Sequence, residues 1–305
     1  MAELPLDQPG EAPAASPTAL AGAPVMASGG ARGLWRRLSR NPATVVGIVI
    51  AVAYVAIALL ADVLAPYDAT RGVLIERLQT PSAAHLLGTD ELGRDILSRI
   101  VVGARVSLLI QFTSVVLALV VGVTWGLVSG FLGGWFDEVS MRLIDIMLAF
   151  PGVLLAIAIV AVLGGGLGNV ILAVAVSSVP AFARLVRGVV LGTRELEYVE
   201  AARAIGEPAT AILLRYLLPA AFAPIIVQAS LRMATVLLTA SSLNFLGLGV
   251  VPPTAEWGSM LSNARSYMFV APFIAAVPGL AISIVVLGFN LFGDGLRDAL
   301  DPRQR

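Results

Sequence analysis

The chain has 305 residues and no net formal charge, and 58% of its residues are hydrophobic while only 13% are charged. A mean hydropathy of +0.89 is far above that of a soluble domain, and the balanced charge gives no indication of a nucleic-acid partner. The absence of cysteine excludes disulfides, zinc clusters and thiol catalysis, and with His85 as the single histidine we expect no metal site.

The first 30 residues are rich in Ala, Pro and Gly and poor in bulky apolar side chains. Such a segment cannot bury a core, so we predict a disordered N-terminal tail over residues 1–30. It lacks the basic and apolar regions of a cleaved signal peptide. We therefore expect the first apolar stretch to remain as a membrane anchor.

Six stretches are long and apolar enough to cross about 30 Å of hydrocarbon, which takes roughly 20 residues. They are residues 43–65, 106–127, 143–163, 170–191, 221–246 and 275–292. The sequence thus predicts an all-α integral membrane protein with six transmembrane helices. Its regions are 31–103 with the first helix and a long loop, 104–295 with the other five helices, and a tail over 296–305.

Arginines predict the orientation, because they resist translocation across the membrane. Four of them precede the first span with no acid among them, namely Arg32, Arg36, Arg37 and Arg40. This places the N-terminus in the cytoplasm, and six crossings return the C-terminus to the same side. Four arginines in the 66–103 loop count against this orientation, but three separate inside segments agree on it.

A polar segment, EYVEAARAIGEPATAILLRYLLP, lies between two spans at residues 197–219. Residues 195–205 are good helix formers, and Gly206 stands where a helix end favours a left-handed residue. Pro208 suits the start of a second short helix, which Pro219 should end. Glu200 and Arg203 are three residues apart and are expected to pair.

This segment resembles the EAA loop of the permease subunits of binding-protein-dependent ABC importers. The family pattern has Glu and two Ala, a Gly six residues after the Glu, and a Pro thirteen residues after the Gly. The stretches 85–108, 243–261 and 288–303 resemble the C-type subunits of the dipeptide, oligopeptide and nickel permeases. The matching positions of the loop in this sequence are Glu200, Ala201, Ala202, Gly206 and Pro219.

The resemblance implies a type I importer permease (MetI-like) core, over 104–295, with an extra N-terminal helix. It also implies that the EAA loop docks on ATPase subunits, which carry the ATP and Mg, and that this chain binds no cofactor and has no catalytic residue. The implied partners are a homologous permease subunit, two ATPase subunits, an extracytoplasmic substrate-binding protein and membrane lipid. The implied location is the bacterial cytoplasmic (inner) membrane, with both termini in the cytoplasm.

Charged residues elsewhere support less specific interpretations. Arg232 lies deep in the fifth span and has a pathway or gating role, or a purely structural one. In the stretch 89–99 we expect a helix cap from Thr89 or Asp90 and an ion pair between acid and base four residues apart. Asp95 is expected to pair with Arg99. The stretch either contacts the binding protein or anchors the loop at the membrane surface, and the candidate contact residues are Asp90, Arg94 and Asp95.

Further expectations concern single residues outside the hairpin and the substrate. Arg142 and Asp145 should form an interfacial ion pair, and His85 should be a loop residue with no partner. Ala240 stands where many relatives carry Glu, so no role for an intramembrane carboxylate is carried over. The substrate stays open between dipeptides, longer peptides, nickel and other small solutes, and the alternative classes are an ion-coupled secondary transporter and an intramembrane enzyme.

Overall fold

The structure, a computed structural model, describes residues 31–300. The predicted disordered tail over residues 1–30 and the last five residues lie outside this part of the chain. Every regular element between 31 and 300 is helical. In chain order the α-helices are α1 (Ala31–Leu38), α2 (Pro42–Leu59), α3 (Ala61–Leu64), α4 (Ile96–Leu132), α5 (Gly134–Ala149), α6 (Gly152–Leu163), α7 (Leu167–Thr193), α8 (Glu197–Ala204), α9 (Ala209–Ile212), α10 (Leu218–Phe245), α11 (Trp257–Ala264) and α12 (Phe273–Leu300).

Five helical segments are individually long and apolar enough to cross a membrane, and a bent pair supplies a sixth. The bent pair is α5 and α6, whose axes differ by 93°. The prediction of one continuous helix over 143–163 is therefore wrong. The break falls at Phe150 and Pro151, because proline has no N–H to donate and forces the residue before it into an extended conformation.

Helices α4 and α7 run parallel and pack closely through three glycines spaced four residues apart on α4. A Cβ added to Gly122 would lie 2.6 Å from the Cβ of Phe182, and one added to Gly130 would lie 2.9 Å from the Cβ of Val190. Gly126 lies between them. Small residues at this spacing let the backbones of two membrane helices come into contact. Van der Waals contacts then stabilise the pair, because in lipid there is no hydrophobic driving force between helices.

The N-terminal helices α1 and α2 pack along α12. Gly47 and Gly288 make the contact close, since a Cβ on Gly288 would lie 2.8 Å from the Cβ of Ile50. Arg37 of α1 donates a hydrogen bond from Nη1 to the carbonyl of Ala299 at 3.3 Å. Because α12 remains helical to Leu300, the predicted tail over 296–305 begins inside a helix.

The bundle has two distinct ends. One end carries α1, the last turns of α4, α7 and α12, and the segment of α8 and α9, and we call it the hairpin end. The other end carries residues 60–95 and 246–272, and we call it the loop end. Trp257 marks the loop end, where its Nε1 donates to the carbonyl of Ile100 at the start of α4 at 3.0 Å.

Candidate functional site

The segment of α8 and α9 rests on the bundle through one apolar face. From α8 this face uses Val199 and Ala202, and from the following turns it uses Ile212 and Leu217, all of them buried. They pack against side chains of α4, α7 and α10, namely Val123, Leu127, Val186, Val190, Ala221 and Ile225. The segment is thus a rigid extension of the bundle and not a free loop.

The opposite face of α8 is open. Glu200, Ala201 and Ala204 are exposed there, and Ile205 at the end of the helix is 77% exposed. Of the two family alanines, Ala201 faces outward and Ala202 faces the bundle. The open face is therefore short, lined by small side chains beside one carboxylate and one large apolar residue.

The predicted ion pair between Glu200 and Arg203 is absent from the described residues. Instead the Arg203 guanidinium lies over the ring of Phe131, with Cζ 5.7 Å from the ring centroid. A cation over an aromatic face is stabilised by the ring quadrupole. Arg203 thereby ties α8 to the end of α4 and leaves the Glu200 carboxylate without that partner.

Gly206 ends α8 in the left-handed conformation that the sequence predicts, with φ of +81°. The Gly206 N–H donates to the carbonyl of Arg203 at 3.0 Å, and the Glu207 N–H donates to that of Ala202 at 3.0 Å. These two bonds make a Schellman motif, which satisfies carbonyls at the helix end. Pro208 follows at once and caps α9.

The predicted break at Pro219 is wrong. After α9 the chain makes one turn of π-helix, Leu213–Leu217, and continues directly into α10, which begins at Leu218. Pro219 lies in the first turn of α10, and a wider π turn preceding the proline accommodates its missing N–H. One helical segment therefore runs from Ala209 to Phe245, from the turn at Gly206 to the far side of the bundle.

Ion pairs join α5 to α7 near the hairpin end. Arg187 makes two hydrogen bonds of 2.6 Å to the carboxylate of Asp137, in the bidentate geometry that favours arginine. The expected pair of Arg142 with Asp145 does not form. Arg142 bonds Glu138 one turn earlier at 2.9 Å, and Asp145 pairs across to Arg184.

Arg232 lies at the middle of α10 and is half-buried. No carboxylate in the described part of the chain pairs with its guanidinium. Its charge is therefore not neutralised within the described part of the chain.

At the loop end, Asp90, Arg94 and Asp95 point inward, with exposures of 5%, 4% and 3%. Arg94 bonds Asp90 at 2.6 Å, and Arg99 pairs with Asp90 at 3.4 Å and not with Asp95 as expected. Asp95, and not Thr89 or Asp90, caps α4 by accepting from the Ser98 N–H at 2.7 Å. These side chains hold the loop together.

His85 has a partner, contrary to expectation. Its Nδ1 lies 3.0 Å from Oδ1 of Asp95, and its ring packs against that of Tyr67 at a tilt of 38°, with centroids 4.9 Å apart. Sequence spacing could not reveal this contact, because a turn of the loop brings together residues ten positions apart. His85 thus fixes the loop onto the start of α4.

Glu256 is a buried acid that the sequence reading missed. It lies directly before α11 and is only 1% exposed. Its Oε2 accepts from the Ser259 N–H at 2.8 Å and so caps α11, and its Oε1 lies 3.4 Å from the Ser107 hydroxyl. Burial raises the pKa of Glu256 to about 7. The sequence feature that could have indicated this cap is the position of Glu256, directly before Trp-Gly at the start of a short helical segment.

Comparison with known proteins identifies the family. Residues 122–305 match the family described as binding-protein-dependent transport system inner membrane component. Residues 31–81 match the N-terminal transmembrane domain of oligopeptide transport permease C. Together the two matches cover α1 and α2 and everything from within the second half of α4 onward.

Curated relatives agree over nearly the whole chain. A glutathione transport system permease protein, GsiD of Pectobacterium atrosepticum, is 50% identical over 89% of this chain and 91% of its own length. A dipeptide transport system permease protein, DppC of Alkalihalophilus pseudofirmus, is 47% identical over 90% of each chain.

Among solved structures, an inward-facing MetNI methionine ABC transporter matches with a TM-score of 0.54 at 19% identity. That match covers 66% of this chain and 96% of the other, and it supports the MetI-like fold alone. The family consists of transporter membrane subunits and not of enzymes, and its members are inner membrane components. The chain therefore belongs to the binding-protein-dependent ABC importer permeases, as a multi-pass C-type subunit of the dipeptide and oligopeptide type.

Proposed function

We propose that this chain forms, with a homologous permease subunit, the pathway by which an ATP-driven importer carries di- or oligopeptides across the inner membrane. Two relatives at about half identity are named for glutathione and for dipeptide transport, and both of those solutes contain peptide bonds. Nickel or another small solute is the alternative for the same type of subunit.

In this proposal the EAA loop, with Glu200, Ala201, Ala202, Gly206 and Pro219, docks on one of two ATPase subunits, which carry the ATP and Mg. Glu200 and Ala201 would face that ATPase, while Ala202 holds the segment on the bundle and Gly206 and Pro219 set its shape. The observation that supports it is the continuity of the helix from Ala209 to Phe245. A push on the turn at Gly206 would move α10 as a lever, since a π turn and a first-turn proline interrupt the helix less than a loop. ATP can drive this motion only if the ATPases contact the hairpin end differently in the two conformations of the transporter.

The proposed orientation puts the hairpin end, and with it both termini, in the cytoplasm. Seven arginines cluster at that end, which the positive-inside rule favours. They are Arg36, Arg37, Arg40, Arg194, Arg203, Arg215 and Arg297. The loop end also carries arginines, but Arg94 and Arg99 there are buried against carboxylates and do not face the membrane surface.

A substrate-binding protein would then dock at the loop end, on the extracytoplasmic side of the membrane. The inward network of Asp90, Arg94 and Asp95 would hold the docking surface in shape. The surface itself would be formed by exposed neighbours such as Leu86 and Leu92.

Reconstitution tests the proposal. The chain, its homologous permease, the two ATPases and the binding protein are placed in liposomes, and uptake of a labelled dipeptide is measured with each component left out in turn. We expect uptake only with all components and ATP, and no ATP hydrolysis by the isolated chain. Uptake driven by an ion gradient without ATP would instead favour a secondary transporter.

A further inference from the structure

One face of α10 carries a line of polar side chains through the membrane. Its members follow one another at intervals of four, three, four and three residues, which keeps them on a single helix face. All of them are partly or fully exposed in this chain. They are Gln228, Arg232, Thr235, Thr239 and Ser242, and we call them the polar stripe.

Lipid does not account for the polar stripe. Helix α2 shows what this chain presents to lipid, because only a fifth of it is buried and its two polar side chains, Thr44 and Tyr54, both face inward. The exposed positions of α2, such as Val49 and Val52, are apolar. On α10 the pattern is reversed, because its exposed face carries a polar side chain at every turn. Such a face indicates contact with water.

The hydroxyl groups of the polar stripe do not by themselves require contact with water. Thr235 donates to the carbonyl of Arg232 at 3.1 Å, and Thr239 donates to that of Thr235 at 2.9 Å. Hydroxyls satisfied in this way within their own helix are tolerated in an apolar environment. Arg232 is different, because a guanidinium has no such partner on its own helix.

Arg232 lies at the centre of a helix that runs from Leu218 to Phe245, too far from either end to reach the membrane surface without strain. A charge at this depth is costly unless it faces water or an anion, and no carboxylate in residues 31–300 pairs with it. Either water or an anion from outside the described chain must therefore face this guanidinium.

We infer that the polar stripe lines the solute pathway and that Arg232 receives a free carboxylate of the solute during its passage. This inference rests on the proposed import function. A guanidinium presents a planar fork that matches a carboxylate, and the stripe's amide and hydroxyl groups suit the peptide groups of the same solute. A bare divalent metal ion would be repelled, so the stripe favours peptides over nickel.

The test exploits the absence of cysteine from this chain. Arg232→Cys is introduced, the complete complex is reconstituted, and the thiol is modified with methanethiosulfonate reagents that attach an ethylammonium, a neutral or a sulfonate group. Val52→Cys, on the exposed apolar face of α2, is the matched control for labelling.

We expect Arg232→Cys to lower uptake of the dipeptide alanyl-alanine about tenfold, the loss typical of removing a charge-assisted hydrogen bond. The ethylammonium group should restore most of it, while the neutral and sulfonate groups should not. Arg232→Lys should retain most of the uptake. Only position 232, and not position 52, should react rapidly with the water-soluble sulfonate reagent.

Several results would overturn the inference while leaving the importer itself intact. These are full uptake by Arg232→Cys, equal rescue by the neutral reagent, no labelling at position 232, or uptake of nickel ions by the wild-type complex. Loss of complex assembly in Arg232→Cys, restored by the ethylammonium group, would assign Arg232 to an ion pair with the partner permease. Absence of dipeptide uptake by the wild-type complex would instead refute the proposed function.

Discussion

Gly206 is the residue on which the shape of the hairpin end depends most directly. Its φ of +81° is readily available to glycine alone, and nothing lies within 4 Å of the place a Cβ would occupy. A substitution there is strained by the backbone and not by crowding. The two bonds that close α8 around Gly206 set the angle between α8 and α9.

We expect Gly206→Val to cost about 1–2 kcal/mol locally, because a Cβ is disfavoured in the left-handed region. The strain would tilt α8 against α9 without touching any span. Co-purification of the ATPases and dipeptide uptake should therefore fall, while membrane insertion and pairing with the homologous permease persist.

Gly192→Val is the matched control, since Gly192 lies in α7 with an ordinary helical φ and also has open space around its Cβ position. It should leave docking and uptake near the wild-type level. Normal docking and uptake in Gly206→Val would show that the hairpin end is a passive connection.

Glu256 gives the chain a pH dependence. Its pKa is raised from the ordinary 4.5 to about 7, so the folded chain holds a proton between those pH values that the unfolded chain has released. Stability should fall as the pH rises through that window, by about 3 kcal/mol at most for a shift of this size.

Glu256→Gln keeps an oxygen to accept from the Ser259 N–H but cannot ionise. We expect the thermal midpoint of the purified complex to fall between pH 5 and pH 8 in the wild type and to change less in the variant. Parallel pH profiles for the two proteins would mean that the carboxyl does not titrate in this range.

At the scale of elements, the continuous helix from α9 to α10 is the feature most relevant to coupling. The sequence predicted an interruption at Pro219, and the structure replaces it with one π turn between Leu213 and Leu217. In the proposed coupling, the lever motion of α10 would depend on the stiffness of that turn. Glycine weakens a helix by about 1 kcal/mol per residue and adds flexibility.

Replacing both Leu214 and Arg215, which are exposed, with glycine should therefore uncouple docking from transport. We expect the ATPases to co-purify and hydrolyse ATP, while dipeptide uptake falls several-fold. The same double substitution at Val45 and Val46 of α2, also exposed, has a similar helix cost and should affect uptake less. Equal losses in both variants would attribute the effect to general destabilisation.

At the scale of the whole molecule, both described termini and the hairpin lie at one end of the bundle, as an even number of crossings requires. The broken pair of α5 and α6 counts as one crossing in this arrangement. The arginines at the hairpin end support the proposed orientation, with that end in the cytoplasm.

A reporter active only in the cytoplasm should score when inserted after residue 193, and it should not score after Val250. The two sites lie at opposite ends of the bundle, after α7 and after α10 respectively. The reverse pattern would invert the orientation and leave the hairpin on the wrong side for ATPases.

The sequence by itself determined the class of the protein, the number of crossings and the position of the hairpin. Apolar length decides membrane insertion, which is a local property of each stretch. The left-handed turn at Gly206 was likewise predictable, because a Gly-x-Pro at a helix end has few conformations available. The family resemblance rests on the same local motifs.

Only the tertiary structure decided the partners of the charged residues and the faces of the helices. The Arg203 guanidinium lies over the Phe131 ring and does not pair with Glu200, Asp145 pairs with Arg184, and His85 pairs with Asp95. Local spacing offers each charge a neighbour three or four residues away. Packing also brings groups that are distant in sequence within reach, and sequence spacing alone does not show which contact forms.

The broken third span and the unbroken helix at Pro219 both show that a proline alone does not decide where a helix ends. Pro151 bends the chain by 93°, while Pro219 does not, although both residues lack an N–H. The difference lies in what surrounds each one, since Pro219 sits in a first turn after a π turn and Pro151 follows an extended residue. The sequence names the proline, and the packing around it decides whether the helix ends.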